Sequence, residues 1–171
     1  MIELTLEMAE RATRAAREKA KALGTPMTIT VVDEAGRLVL CSRGDGTGFF
    51  TPETSRAKAM AAANFRMSTS DLAERVQKGS PFWSQVGSAV PGQLLASHGA
   101  VPIVVKGRVI GAIGCGGGTG EQDQECAAAG AAVLSEQAAR GAAPLRPRTF
   151  LGALKKVQMR GGARRPGARR T

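Results

Sequence analysis

The chain has 171 residues, of which 43% are apolar, and this is enough for one domain with a hydrophobic core. It contains five Phe, one Trp and no Tyr, so aliphatic side chains must fill most of that core. No apolar run reaches the roughly 18 residues of a membrane span, and residues 1–17 lack the continuous apolar stretch of a signal peptide, so we expect a cytoplasmic protein. Three cysteines without Cys-x-x-Cys spacing and a single histidine argue against a structural zinc site.

The net charge of +10 is concentrated at the carboxyl-terminal end. Residues 144–171 contain nine basic residues and no acidic one, whereas residues 1–143 contain 15 basic and 14 acidic residues. This end segment has too little apolar surface to order itself. We therefore predict a globular domain at 1–143 and a basic, disordered tail at 144–171.

The first half of the domain is predicted to form helices around one β-hairpin. Apolar residues at three- and four-residue steps over 6–23 are typical of an amphipathic helix that Gly24 ends. Two β-branched runs at 27–33 and 37–43 flank a short turn and indicate a hairpin. Thr51-Pro52-Glu53 has the order of a cap, a first-turn proline and an acid, which predicts a helix to about Phe65, and a shorter helix is expected over 68–78.

The second half is predicted to contain another hairpin and a last helix. Residues 79–100 are rich in Gly, Ser and Pro and are expected to be irregular. Two apolar runs at 101–105 and 108–114 are joined by Lys106-Gly107, and Thr119 with Gln122 forms a capping box that starts a helix to about Arg140. The predicted order is α-β-β-α-α-β-β-α. It favours an α+β fold with helices packed on an antiparallel sheet.

The glycine-rich turn after the last strand is the first candidate binding element. Backbone N–H groups of Gly117, Gly118 and Thr119, together with the start of the following helix, could hold a carboxylate or phosphate. The turn has neither the Lys-Ser/Thr of a Walker loop nor the spacing of a dinucleotide fingerprint. The alternative is that these glycines only provide the positive φ of a tight turn.

Five further side chains are candidates for ligand contact. His98 lies before an apolar strand and could be an axial ligand to haem iron or another metal, or a loop histidine bonded to backbone or solvent. Lys58 stands among alanines and could meet a ligand carboxylate, pair with Asp33, or extend to solvent. Asp33 ends the first predicted strand and Arg43 ends the second, and both are candidates for contact with a ligand at the edge of the sheet. Asp123 complements a helix dipole or serves as a base.

Six segments stand in a recognisable order and spacing: 6–9 (LEMA), 29–36 (ITVVDEAG), 56–59 (RAKA), 62–65 (AANF), 101–114 (VPIVVKGRVIGAIG) and 117–123 (GGTGEQD). Together they resemble the GlcG/HbpS family of haem-binding, so-called haem-degrading proteins, which also includes the C-terminal domain of PduO. The most specific piece is 101–114, which leads to 117–123. The resemblance covers about residues 3–140. It implies a profilin-like fold, assembly into dimers or larger homo-oligomers, and haem or a similar planar ligand at a pocket or subunit interface.

Two features depart from the family pattern. Ser97-His98-Gly99-Ala100 stands where the family has a Gly-Gly pair before Val-Pro-Ile, and the basic tail has no counterpart. The first departure either adds an iron ligand or only alters a loop.

Three functional hypotheses follow. The first is a small-ligand-binding protein for haem or a similar planar, anionic ligand, acting as carrier, sensor or accessory redox factor, with Asp33, Lys58 and the glycine turn shaping the pocket. The second is an enzyme acting on a small organic acid or aromatic metabolite, with Asp33 or Asp123 as base and Lys58 as electrostatic stabiliser. The third is nucleic-acid binding through the basic tail alone.

Overall fold

A computed structural model describes residues 3–139 of the chain. Within this range it has five helices and four strands. The helices are α1 (Leu6–Ala22), α2 (Thr51–Phe65), α3 (Thr69–Gln77), α4 (Pro81–Ala89) and α5 (Gly120–Ala139). The strands are β1 (Thr28–Asp33), β2 (Leu38–Ser42), β3 (Ala100–Val105) and β4 (Arg108–Gly116). The predicted basic tail at 144–171 lies outside the described residues.

The four strands form one antiparallel sheet in the order β2-β1-β4-β3, which confirms the α+β fold class. In the central pair, Thr28 lies opposite Gly116 and Asp33 opposite Gly111. The end of β4 is therefore next to the start of β1. The β3–β4 turn uses Lys106 (φ 51°) and Gly107 (φ 75°), the two positive φ angles of a type I′ hairpin.

Alternating side chains of β1 face two different helical layers. Ile29 and Val31 join the core that contains the alanines of α1 and the middle of α5. Val32 instead packs with the alanines of α2. Because the period of a strand is two, these contacts place α1 and α5 on one face of the sheet and α2 on the other. A Cβ on Gly114 would lie 2.3 Å from the Ser55 carbonyl oxygen, so this glycine lets α2 lie directly on β4.

Helix α4 corrects the expectation that residues 79–100 are irregular. Ser80 is its N-cap, and Pro81 provides the φ angle that suits a first helical turn. None of its residues is fully buried. Trp83 attaches it to the domain, since its ring lies 5.2 Å from that of Phe65 and 5.2 Å from the guanidinium of Arg75.

Two smaller findings concern helix starts and membranes. Helix α2 begins one residue earlier than predicted, because Phe50 rather than Thr51 occupies the N-cap and Thr51 is the first helical residue. None of the helices within 3–139 combines the length and the apolar character that a membrane crossing requires.

Candidate functional site

An open cleft of about 380 Å³ lies where the end of β4 meets the first turns of α2 and α5. Its volume falls in the range of small-molecule pockets. Glycines, hydroxyl side chains, two apolar side chains and one ion pair line it: Gly48, Phe50, Thr51, Thr54, Lys58, Leu95, Ser97, Gly116, Gly117, Gly118, Gly120 and Asp123. Of the site residues predicted from the sequence, Gly117, Gly118, Asp123 and Lys58 line the cleft.

A buried ion pair forms part of the cleft wall. The Nζ atom of Lys58 on α2 lies 2.8 Å from Oδ2 of Asp123 on α5, and the two side chains are 8% and 5% exposed. Lys58 also donates to the Cys115 carbonyl oxygen at 3.1 Å. Lys58 therefore neither extends to solvent nor pairs with Asp33. Its charge is neutralised inside the domain.

The same carboxylate fixes the glycine-rich turn. Oδ1 of Asp123 accepts a hydrogen bond from the backbone N–H of Gly118 at 3.0 Å. The predicted capping box is present, since Thr119 N–H donates to Oε1 of Gln122 at 2.9 Å and Gln122 N–H donates to the Thr119 hydroxyl at 3.3 Å. Asp123 is thus more than a dipole complement, because it connects α2, α5 and the turn.

Gly99 covers the ion pair and has no room for a side chain. Its φ is +123°, and a Cβ there would lie 2.7 Å from Cβ of Asp123 and 2.9 Å from Nζ of Lys58. Its N–H donates to Oε1 of Gln124 at 2.8 Å, and its carbonyl oxygen accepts from Cys115 N–H at 2.7 Å. The segment before β3 is therefore held against α5 and β4 by backbone bonds.

His98 lies at the rim of the cleft, between the lining residue Ser97 and Gly99. Its side chain is half-buried and packs beside Gly120, where an added Cβ would lie 3.1 Å from Cβ of His98. The pKa of Glu121 is lowered by hydrogen bonds from the backbone N–H of Glu121 and from the Thr119 hydroxyl, and the neighbouring His98 acts in the same direction. The histidine thus lies beside the start of α5, near the glycine turn.

Hydroxyl groups bind the start of α2 to β1 behind the cleft. The Thr28 hydroxyl shares hydrogen bonds with those of Thr47 (3.0 Å) and Thr51 (2.8 Å), and the Thr30 hydroxyl shares one with Ser55 at 2.7 Å. All five residues are buried. Buried hydroxyls are costly unless they are hydrogen-bonded, so this network fixes the position of α2.

Asp33 and Arg43 do not line the cleft. Asp33 lies at the other end of β1, where its carboxylate accepts from Ala35 N–H (3.0 Å), Arg37 N–H (2.9 Å) and Arg37 Nε (2.7 Å). Partial burial alone would raise the pKa of Asp33, but the Arg37 and Ala35 bonds outweigh it and lower the pKa. Arg43 is exposed and donates to the Thr47 carbonyl oxygen at 3.1 Å.

Five side chains that line the cleft were not among the site residues predicted from the sequence. They are Phe50, Thr51, Thr54, Leu95 and Ser97. Thr54 and Lys58 are four residues apart on α2, one helical turn, so a search for polar side chains on the stripe of Lys58 would have found Thr54. Leu95 and Ser97 lie in a segment without periodicity.

The structure is a small α+β domain with an open cleft beside a glycine-rich turn. Residues 4–132 match the family model described as haem degrading protein HbpS-like, and the chain belongs to this family. It is 37% identical to the protein GlcG of Escherichia coli strain K12 over 112 residues, which cover 65% of this chain and 79% of GlcG.

Solved structures have the same fold. A crystal structure of a double mutant of Streptomyces reticuli HbpS is 36% identical, with a TM-score of 0.71 over 78% of this chain and 88% of that one. A crystal structure of a PduOC:haem complex is 27% identical, with a TM-score of 0.72 over 78% of this chain and 96% of that one. These similarities confirm the resemblance that the sequence motifs indicate.

Proposed function

We propose that this domain binds haem, or a similar planar and anionic ligand, in the cleft beside the glycine-rich turn, and that it acts as a carrier, sensor or accessory redox factor. The observation that carries the proposal is the cleft itself, in a chain whose fold matches that of a protein solved as a haem complex. We also propose, from the family resemblance, that the protein is a cytoplasmic homo-oligomer.

The residues around the cleft fit such a ligand. Phe50 and Leu95 provide apolar contact, and the backbone of 116–118 provides a wall without side chains. The first turns of α2 and α5 both border the cleft, so the positive ends of two helix dipoles lie near its polar side. A flat apolar ring with carboxylate substituents matches this division into apolar and electropositive parts.

The carboxylates of the ligand would be held by N–H and hydroxyl groups rather than by Lys58. Lys58 already donates to Asp123 and to the Cys115 carbonyl oxygen. Removing it from Asp123 would leave a carboxylate that is 5% exposed without its cation, which is costly. Neutral donors and helix N-termini bind anions without such a penalty.

His98 is our candidate for contact with the haem iron, because it is a half-buried histidine at the rim of the cleft. Bound haem would supply a redox-active iron, and the chain's part would be to hold the ring and limit the access of water. The residues that would do so are Phe50, Leu95 and the glycine wall.

The enzyme alternative has less support from the same geometry. Asp33, one of its two candidate bases, is engaged by Arg37 and Ala35 far from the cleft. Asp123, the other, accepts bonds from Lys58 and Gly118 through both carboxylate oxygens. A general base needs an oxygen within reach of the substrate proton.

A hemin titration followed at the Soret band tests the proposal. We expect a saturable, stoichiometric shift for the wild type. Thr54→Trp fills the cleft from α2 and should weaken hemin binding by at least about tenfold, a loss of about 1.4 kcal/mol. Arg56→Trp is the matched control, because Arg56 is exposed, lies two residues further along α2 and does not line the cleft.

His98→Ala separates haem binding from iron ligation. If the Soret band of the complex moves in this variant, His98 contacts the iron. If the band and the affinity are unchanged, haem binding stands and the iron ligand is another residue. If the wild type shows no saturable shift, haem is rejected for this protein and the small-acid enzyme becomes the hypothesis to test.

A further inference from the structure

The start of α2 breaks the usual rule for a helix N-cap. Ser, Thr, Asp and Asn are preferred there because their side chains accept a hydrogen bond from the first turn. α1 and α3 follow the rule, with Thr5 accepting from Met8 N–H and Ser68 from Asp71 N–H. α2 instead has Phe50 at its N-cap, without any side-chain capping bond. Local rules that a protein breaks without a structural gain often mark functional positions.

Phe50 makes no contribution to the buried core that would explain its presence. It is 54% exposed, and its neighbour Phe49 is 87% exposed. The two rings contact each other edge to face, with centroids 5.5 Å apart and planes at 89°. An aromatic pair in this position leaves apolar surface in contact with water, and Phe50 turns part of that surface toward the cleft.

The backbone below Phe50 is held firmly. Thr51 donates its hydroxyl to the Gly48 carbonyl oxygen at 2.8 Å and its N–H to the same oxygen at 3.1 Å. Gly48 leaves room for the ring, because a Cβ there would lie 3.1 Å from Cε1 of Phe50. A ring on a fixed loop loses little conformational freedom when a ligand binds.

We propose that Phe50 is a ligand-contacting residue that stacks on the planar ring of the ligand and selects flat, conjugated molecules. This inference rests on the proposed ligand-binding function and adds the residue that recognises the ring face. The Phe49 ring packs at right angles to the Phe50 ring. The carboxylates of the ligand turn toward the two helix N-termini. Stacking requires no metal, so a metal-free porphyrin is recognised in the same way.

The test compares hemin with metal-free protoporphyrin IX in absorbance titrations of the full chain. Phe50→Leu should weaken the binding of both porphyrins by about tenfold, because it removes the aromatic face and keeps an apolar side chain. Phe50→Trp should bind as the wild type does. Phe82→Leu, which changes a 59% exposed phenylalanine on α4 outside the cleft lining, should leave both affinities unchanged.

The outcomes separate this inference from the function on which it rests. If the wild type binds neither porphyrin, the proposed function fails and the inference with it. If the wild type binds both and Phe50→Leu stays within twofold of it, only the inference is overturned. A loss in Phe50→Leu that Phe82→Leu reproduces also overturns it, and a loss restricted to hemin would show that Phe50 acts on the iron rather than on the ring.

Discussion

Replacing Lys58 with Met should strongly destabilise the domain, because it breaks a buried ion pair. The variant deletes the 2.8 Å bond to Asp123 and leaves that carboxylate, 5% exposed, without a cation. Breaking a buried ion pair by removing one partner costs about 3–5 kcal/mol. Asp123 keeps its bond from Gly118 N–H, so we expect the lower end, about 3 kcal/mol.

Chemical unfolding in urea, followed by far-UV circular dichroism, measures this cost. With a slope of about 1.5–2 kcal/mol/M, a loss of about 3 kcal/mol lowers the midpoint by about 1.5–2 M. The double variant Lys58→Met/Asp123→Asn should be more stable than the sum of the single changes predicts, because the amide keeps an oxygen for Gly118 and buries no charge.

An exposed pair is the control for this experiment. Lys78 lies 3.7 Å from Glu74, and both side chains are largely exposed, so Lys78→Met should not move the midpoint measurably. If Lys58→Met lowers the midpoint no more than Lys78→Met, or if the two changes at Lys58 and Asp123 simply add, the ion pair does not hold the site together.

Two further predictions concern the covered ion pair and the thiols. Gly99→Ala should cost several kcal/mol, since its Cβ would meet the ion pair at under 3 Å, whereas Gly107→Ala, which also has positive φ but no atom within 4 Å, should cost only about 1–2 kcal/mol in the same urea assay. In native protein at pH 8, a thiol reagent should modify the exposed Cys41 rapidly and leave Cys115 and Cys126 until unfolding. The reason is that burial raises the pKa of Cys126 to about 11 and raises the pKa of Cys115 well above its ordinary value. Fast modification of all three thiols would contradict this.

Most of the fold could be predicted because its signals are local. The amphipathic stripe of α1, the β-branched strands and the Lys106-Gly107 turn each fix their own conformation through neighbouring residues. α4 could not be predicted in this way. Its nine residues include Pro81, a glycine and two serines, and its attachment depends on Trp83 meeting Phe65 from a distant part of the sequence. Tertiary contact overrode weak propensity there.

The candidate site was predictable only in part. The glycine turn was found because glycines between a strand and a helix have few uses, but the pairing of Lys58 with Asp123, 65 positions apart, depends on how α2 and α5 approach β4. Asp33 was expected to shape the pocket. In an antiparallel pair, however, the end of β1 lies beside the start of β4, so Asp33 lies opposite Gly111 and at the far end from Gly116. The sequence predicted the order of the elements along the chain but not that β1 pairs with β4, so it did not place Asp33 at this end of the sheet.

The charges of the cleft bear on which ligand it is suited to bind under the proposed function. Lys58 and Asp123 are the cation and the acid among its described lining residues, and they neutralise each other. An anionic ligand therefore meets no free positive side chain in this lining, only N–H groups, hydroxyls and helix N-termini. In the proposed complex such donors would orient the carboxylates, while contact of a large apolar surface with Phe50 and Leu95 would supply most of the binding free energy. A small hydrophilic acid would lack that second contribution, which is why the geometry favours a large planar ligand over a small metabolite.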